Sequence, residues 1–94
     1  MHGFLDSADA WVIGQPKAIA FSLVDKGFDV WLGNNRGNKY SLKHKILDSS
    51  ADKNYWHFSF EAMGDHDSLS IADYIIQKTE RKKITYIGHG QATS

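Results

Sequence analysis

Two short β-branched and aromatic runs, Phe28-Asp29-Val30-Trp31-Leu32 and Lys83-Ile84-Thr85-Tyr86-Ile87, each follow a stretch of helical periodicity. Residues 18–26 carry Ile19, Phe21, Leu23 and Val24 and stop at Gly27, which predicts a helix of about two turns closed by a C′ glycine. Residues 60–78 form the longest helical pattern, with Leu69, Ala72, Ile75 and Ile76 on one stripe and Gly64 weakening its first part. Asp65 and Asp67 lie early in it and Lys78, Arg81, Lys82 and Lys83 late, an order that suits the helix dipole. Met1 followed by His2-Gly3-Phe4-Leu5 reads as the end of a further strand entering a loop. The alternation predicts an α/β fold, with parallel strands joined by right-handed crossovers. Both ends are abrupt, so the 94 residues read as an interior slice of a larger fold, a small complete domain being the alternative. Such a slice leaves sheet edges unpaired, and the isolated chain is expected to be marginally stable.

Composition narrows the function classes. Eleven Lys and Arg balance eleven Asp and Glu, so the basic surplus of a nucleic-acid binder is missing, as is attraction to an anionic membrane. No cysteine is present, so no thiolate ligand or thiol nucleophile is available. No apolar run reaches the roughly 20 residues of a transmembrane helix. The five histidines show no metal-ligand spacing, and no metal or other cofactor is expected. Asp65-His66-Asp67 reads as a solvated helix start. Arg36, Lys39, Lys43 and Lys45 read as a solvated loop face within a long polar segment, residues 39–54. Trp11, Trp31 and Trp56 read as core or pocket walls.

Ligands of α/β sheets bind at the carboxyl ends of strands, which draws attention to Gly88-His89-Gly90-Gln91-Ala92. The turn fits three descriptions. It holds two glycines of a phosphate-cradling G-x-G-x-x-G, it could be a plain strand-to-helix turn, and it matches a nucleophile elbow G-x-S-x-G lacking the serine and the second glycine. The elbow reading draws on the other end of the chain. An acyl-transfer site needs two backbone N–H groups aimed at the developing oxyanion, one after the nucleophile and one from a loop often opened by His-Gly. Gln91 meets the first requirement; His2, Gly3 and Phe4 meet the second.

These residues sit within a wider pattern: His2-Gly3-Phe4-Leu5 with Ser7 and Trp11, then Asp29-Val30-Trp31-Leu32-Gly33-Asn34-Asn35-Arg36-Gly37-Asn38. Tyr40-Ser41, Lys43-His44-Lys45, Trp56-His57-Phe58-Ser59-Phe60-Glu61-Ala62-Met63, Asp67, Asp73-Tyr74-Ile75 and Gly88-His89 continue it. The pattern resembles the acid lipase family: the gastric and lysosomal acid lipases and the related steryl-ester and triacylglycerol lipases. The resemblance implies a partial α/β-hydrolase domain over residues 1–94, without the family's cap domain. It implies a parent activity on carboxylic esters of neutral lipids, by a Ser-Asp-His mechanism without cofactor. Relatives of this kind are secreted, lysosomal or associated with lipid droplets, and nothing in the sequence assigns the chain among these places.

The departures concern the chemistry itself. The family elbow reads Gly-His-Ser-Gln-Gly, so Gly90 stands at the nucleophile position and Ala92 at the second glycine. Phe4 replaces the usual leucine but keeps its N–H, and Thr93 and Ser94 fall beyond the apex, in the first turn of an expected helix. The family's acid and base lie later in its chain and have no counterpart here. Losing a triad nucleophile lowers kcat by about 10⁶-fold, roughly 8 kcal/mol of barrier. The expectation is therefore an inactive lipase-like segment. A non-catalytic binding or interaction fragment, or a truncated gene product, is the alternative.

Overall fold

The computed structural model describes residues 1–14 and 16–93; Ser94 lies outside the described residues. Its first helix, α1, is Ile19–Asp25. The Gly27 N–H donates to the Val24 carbonyl and the Phe28 N–H to that of Leu23. Those two bonds close the helix as a Schellman motif around Gly27, at φ 89°, as the sequence predicts.

The long helical pattern forms in three pieces. α2 is Phe60–Ala62, a π-helical segment follows at Met63–Ser68, and α3 is Leu69–Thr79. Ser59 caps α2 by accepting from the Ala62 N–H. The wide turns fall on the stretch that contains Gly64, where helix propensity is lowest. Short 3-10 turns at Ala8–Trp11, Lys53–Trp56 and Gly90–Thr93 complete the regular structure. Residue 93 therefore lies in a 3-10 turn and not in an α-helix.

Among the described residues no strand forms. Segments 28–32 and 83–87, expected as parallel strands, run without ladder bonds. A strand exists only through its neighbours, and these segments have none along their length. One point of pairing remains. The Met1 nitrogen donates to the Ile87 carbonyl, and the His89 N–H donates to the Met1 carbonyl at 3.2 Å. That is the two-bond pattern one residue makes in a parallel pair.

Packing is correspondingly sparse. Among the described residues the buried apolar ones are Ala8, Ala18, Ala20 and Tyr55, and no large side chain is fully enclosed. Phe28, Trp31, Leu32, Tyr86 and Ile87 remain exposed, although sheet residues between helix layers would be covered. The accessible surface is 7422 Å², against roughly 5,500 Å² for a folded monomer of this mass. The surplus, roughly 1,900 Å², exceeds the ~800 Å² that each partner covers in a standard interface. The radius of gyration, 14.5 Å, is likewise above the ~12 Å of a compact chain of this length.

Two polar contacts tie distant segments together. Arg36 donates through its backbone N–H to Asp67 Oδ2 at 2.9 Å, and through Nε and Nη2 to Oδ1 at 2.8 and 2.6 Å. The clamp fastens the 34–38 loop to the π-helical segment. It corrects the reading of Asp67 as solvated, since that side chain is only 12% exposed, while the Arg36 side chain stays 38% exposed. Asp9 holds Lys39 and accepts from the Tyr40 hydroxyl at 2.8 Å, tying the first 3-10 turn to the 39–54 loop.

Two outcomes follow from this packing. The isolated chain should bind 1-anilinonaphthalene-8-sulfonate strongly and melt over a broad range by circular dichroism; a sharp cooperative transition at high temperature contradicts the sparse core. The Lys39 hydrogen bond, then that of Tyr40, holds the Asp9 carboxyl below the usual carboxylate range. A depressed folded pKa means that the stability it lends is present above the unfolded value, about 3.9, and fades as pH falls through the folded one. An NMR titration should place the Asp9 midpoint below that value in the parent chain and move it up in Lys39→Met.

Candidate functional site

The first and last few residues of the chain meet. A Cβ placed on Gly3 would stand 3.2 Å from both the Nδ1 and the carbonyl oxygen of His89. A Cβ placed on Gly90 would find only the Gly3 Cα, at 3.6 Å. The loop His2, Gly3, Phe4 and the turn Gly88, His89, Gly90, Gln91, Ala92 are therefore neighbours, although about 85 residues apart in the chain.

Each loop has a reason for its shape. In the first, the Asp6 N–H donates to the Gly3 carbonyl at 3.3 Å, closing a turn with Leu5 at φ 56°. A non-glycine residue there stores strain, and the Leu5 side chain, 91% exposed, gains no packing in return. Phe4 beside it is 72% exposed. In the second loop Gly90 takes φ 59°, the left-handed region that a residue with a Cβ enters at a cost of about 1–2 kcal/mol. The Ala92 N–H donates to the His89 carbonyl, and Thr93 Oγ1 to that of Gly90. The tight point is Gly88, where a Cβ would lie 2.6 Å from the Ala92 carbonyl oxygen. That oxygen also accepts from the Tyr86 hydroxyl at 2.9 Å. Among the described residues, neither the Phe4 N–H nor the Gln91 N–H donates a hydrogen bond.

A buried polar network sits behind the first loop. His2 is 4% exposed, and Ser7 and Asn35 are buried with it. His2 Nδ1 lies 2.9 Å from the Gly3 carbonyl oxygen, which can only accept. Its Nε2 faces the Asn35 backbone N–H at 3.0 Å, which can only donate. The two partners fix the tautomer: the proton is on Nδ1. Asn38 is oriented by the Tyr40 N–H, which donates to its Oδ1 at 3.0 Å. Its Nδ2 therefore points at His2 Nε2 and at Asn34 Oδ1, at 3.1 and 2.7 Å. Asn34 Oδ1 accepts a second bond, from the Ala8 N–H. Trp11 Nε1 and Asn35 Oδ1 are buried without partners among the described residues.

Several candidates stand apart from this junction. Two open grooves, of about 390 and 420 Å³, share Asn34, Ser41, Ser70 and Ile71 in their walls; neither is lined by the 2–4 loop or by residues 88–92. Trp31 lines one of them and packs edge-on against Tyr74 at 6.2 Å. Trp56 packs with Tyr55 and Phe58. Among the described residues no group of three or more His, Asp or Glu is placed to hold a metal ion, and no helix is long and apolar enough to cross a membrane. Sequence reasoning missed the roles of Asn34, Asn35 and Asn38, taken there only as turn residues, and the Arg36–Asp67 pair. No local signal marks a pair 31 residues apart.

The two turn glycines should respond differently to a methyl group. Gly90→Ala has room and carries only the backbone strain, about 1–2 kcal/mol. Gly88→Ala must displace backbone and should cost more, with strain of this kind adding about 1–3 kcal/mol. Amide chemical shifts read the contrast: large changes at Met1, His89 and Ala92 in Gly88→Ala, and small ones in Gly90→Ala.

The family model described as alpha/beta hydrolase fold matches residues 1–93. A probable lipase of Schizosaccharomyces pombe is 44% identical over 95 residues, covering 99% of this chain and 20% of its own length. Human lipase member J is 42% identical and gastric triacylglycerol lipase of Bos taurus 43% identical, each over 94 residues. Each alignment covers 99% of this chain, and 25% and 23% of those relatives respectively. The chain thus spans about a fifth to a quarter of the length of the relatives it matches. With the family model matched along the chain and lipases similar to it from end to end, the chain belongs to the alpha/beta hydrolase fold family.

Proposed function

We propose that residues 1–94 are the part of a lipase-like α/β-hydrolase domain that carries the oxyanion loop and the elbow turn, and that the chain itself does not turn over esters. The substrate class of the parent activity is a carboxylic ester of a neutral lipid. Relatives with the printed names lipase and gastric triacylglycerol lipase support that class. The observation that carries the reading is the adjacency of Gly3 and Gly90, with the Phe4 and Gln91 N–H groups undonated on either side.

The roles follow from chemistry. An ester carbonyl seated between the two N–H groups would gather negative charge on its oxygen as a nucleophile adds, and both donors would stabilise it. A serine at the apex would supply an Oγ to form the acyl bond. Gly90 has no atom to do so. An oxyanion hole and binding alone give about 10³–10⁴ over the reaction in water, far below a complete triad. Neither cofactor nor metal enters this chemistry.

The second reading is a non-catalytic binding or interaction segment. It is favoured by the surface surplus and by Phe4, Leu5 and Ile13, all strongly exposed.

A covalent probe separates activity from its absence. The purified chain, incubated with a fluorophosphonate, should gain no mass, and p-nitrophenyl ester hydrolysis should stay at the blank rate. Gly90→Ser should also stay at the blank in the ester assay, because it restores an Oγ without a base. A stoichiometric adduct on the parent chain overturns the proposal.

A further inference from the structure

We propose that His2 is a positioning residue, one that aims the Phe4 N–H by holding the carbonyl on the other side of the same peptide bond. The inference rests on the reading of Phe4 as an oxyanion donor and assigns a cause to that donor's direction. The Gly3 carbonyl and the Phe4 N–H belong to one planar unit, so fixing the first fixes the second. Gly3 can rotate freely about its own φ and ψ, and the Phe4 side chain is too exposed to hold the loop. The carbonyl is held instead by two donors, His2 Nδ1–H at 2.9 Å and the Asp6 N–H at 3.3 Å. The shorter bond comes from a ring that is itself buried and anchored.

The anchor runs into the rest of the chain. His2 Nε2 receives the Asn35 backbone N–H and the Asn38 amide. The backbone N–H of Arg36, the next residue after Asn35, is bound by Asp67. A flipped tautomer would set the Nε2–H against the Asn35 N–H and leave the Gly3 carbonyl facing a lone pair. Both contacts would turn repulsive, so the same proton placement that binds Asn35 also orients the Gly3–Phe4 peptide.

NMR on the whole chain tests this. Long-range ¹⁵N–¹H correlations on the parent should show a protonated Nδ1 and an unprotonated Nε2 for His2. The Phe4 amide order parameter should be near 0.85, as for rigid backbone, and should fall below about 0.6 in His2→Ala. His2→Asn keeps a donor at the Nδ1 position and should preserve the Phe4 order, whereas His2→Gln replaces only the Nε2 acceptor and should lose it. The Gln91 amide should be unaffected in all three variants. An Nε2–H tautomer in the parent, or unchanged Phe4 order in His2→Ala, overturns the assignment. Should His2→Ala unfold, the parent tautomer and the Asn-versus-Gln contrast decide it. Titration with a methylphosphonate monoester, an unreactive tetrahedral anion, reads the donor role separately. Absent shifts at Phe4 and Gln91, with the tautomer as expected, would sink the oxyanion reading and leave the positioning role of His2 standing.

Discussion

The imidazole of His2 is the junction on which the arrangement depends. It reaches the Gly3 carbonyl on one side and the Asn35 N–H on the other, joining two segments 33 residues apart. Among the described residues the buried set is nearly as polar as it is apolar: His2, Ser7 and Asn35 against Ala8, Ala18, Ala20 and Tyr55. A network of this kind is directional. Each bond contributes only about 1 kcal/mol net, yet a misplaced donor leaves a desolvated group costing about 1–3 kcal/mol. The junction therefore specifies geometry more than it supplies stability. Stability has to come from apolar burial, and there the chain is short of covered surface.

That imbalance explains which parts of the fold could be read from the sequence. The helix end at Gly27 is decided by residues 23–28 alone, and the long helix by periodicity within twenty residues. Both are local, and both form. Residues 28–32 and 83–87 have the residue types of strands, but a strand is a relation between segments. Val30, Trp31 and Tyr86 fit a pleated, covered surface, and propensity for such a surface does nothing without the surface. The single paired point among the described residues, Met1 against Ile87 and His89, shows what the geometry allows where a neighbour is supplied.

The candidate site divides in the same way. The loops around Gly3 and Gly90 are visible as motifs; Gly90 needs glycine for a local reason, its φ of 59°, whereas Gly3 is tight only against the distant His89. The residues behind them are not visible in this way. Asn34 and Asn38 look like turn residues, and Asp67 looks like a helix start, because each one's partner lies 26 to 36 residues away. A hydrogen-bond partner at that distance leaves no periodic trace. What pointed to these residues was the resemblance of the whole Asn34-Asn35-Arg36-Gly37-Asn38 run to a known family, a signal with no local physical content.

On the proposed reading, Gly90 shows how far site geometry and site chemistry can part. The left-handed apex is the conformation an elbow needs to present a nucleophile, and a serine there carries strain that the surrounding structure must sustain. A chain with a small apolar core has little reserve for such strain, about 1–2 kcal/mol against a stability already thin. Glycine removes the strain and keeps the turn, so the bend, the Gly3 contact and the two undonated N–H groups all persist without the reacting atom. The cradle does not depend on the nucleophile for its form, because its form comes from His2 on one side and from the Ala92–His89 and Thr93–Gly90 bonds on the other. On the proposed reading, a catalytic shape outlasts its chemistry because the bonds that build the shape involve none of the groups that would react.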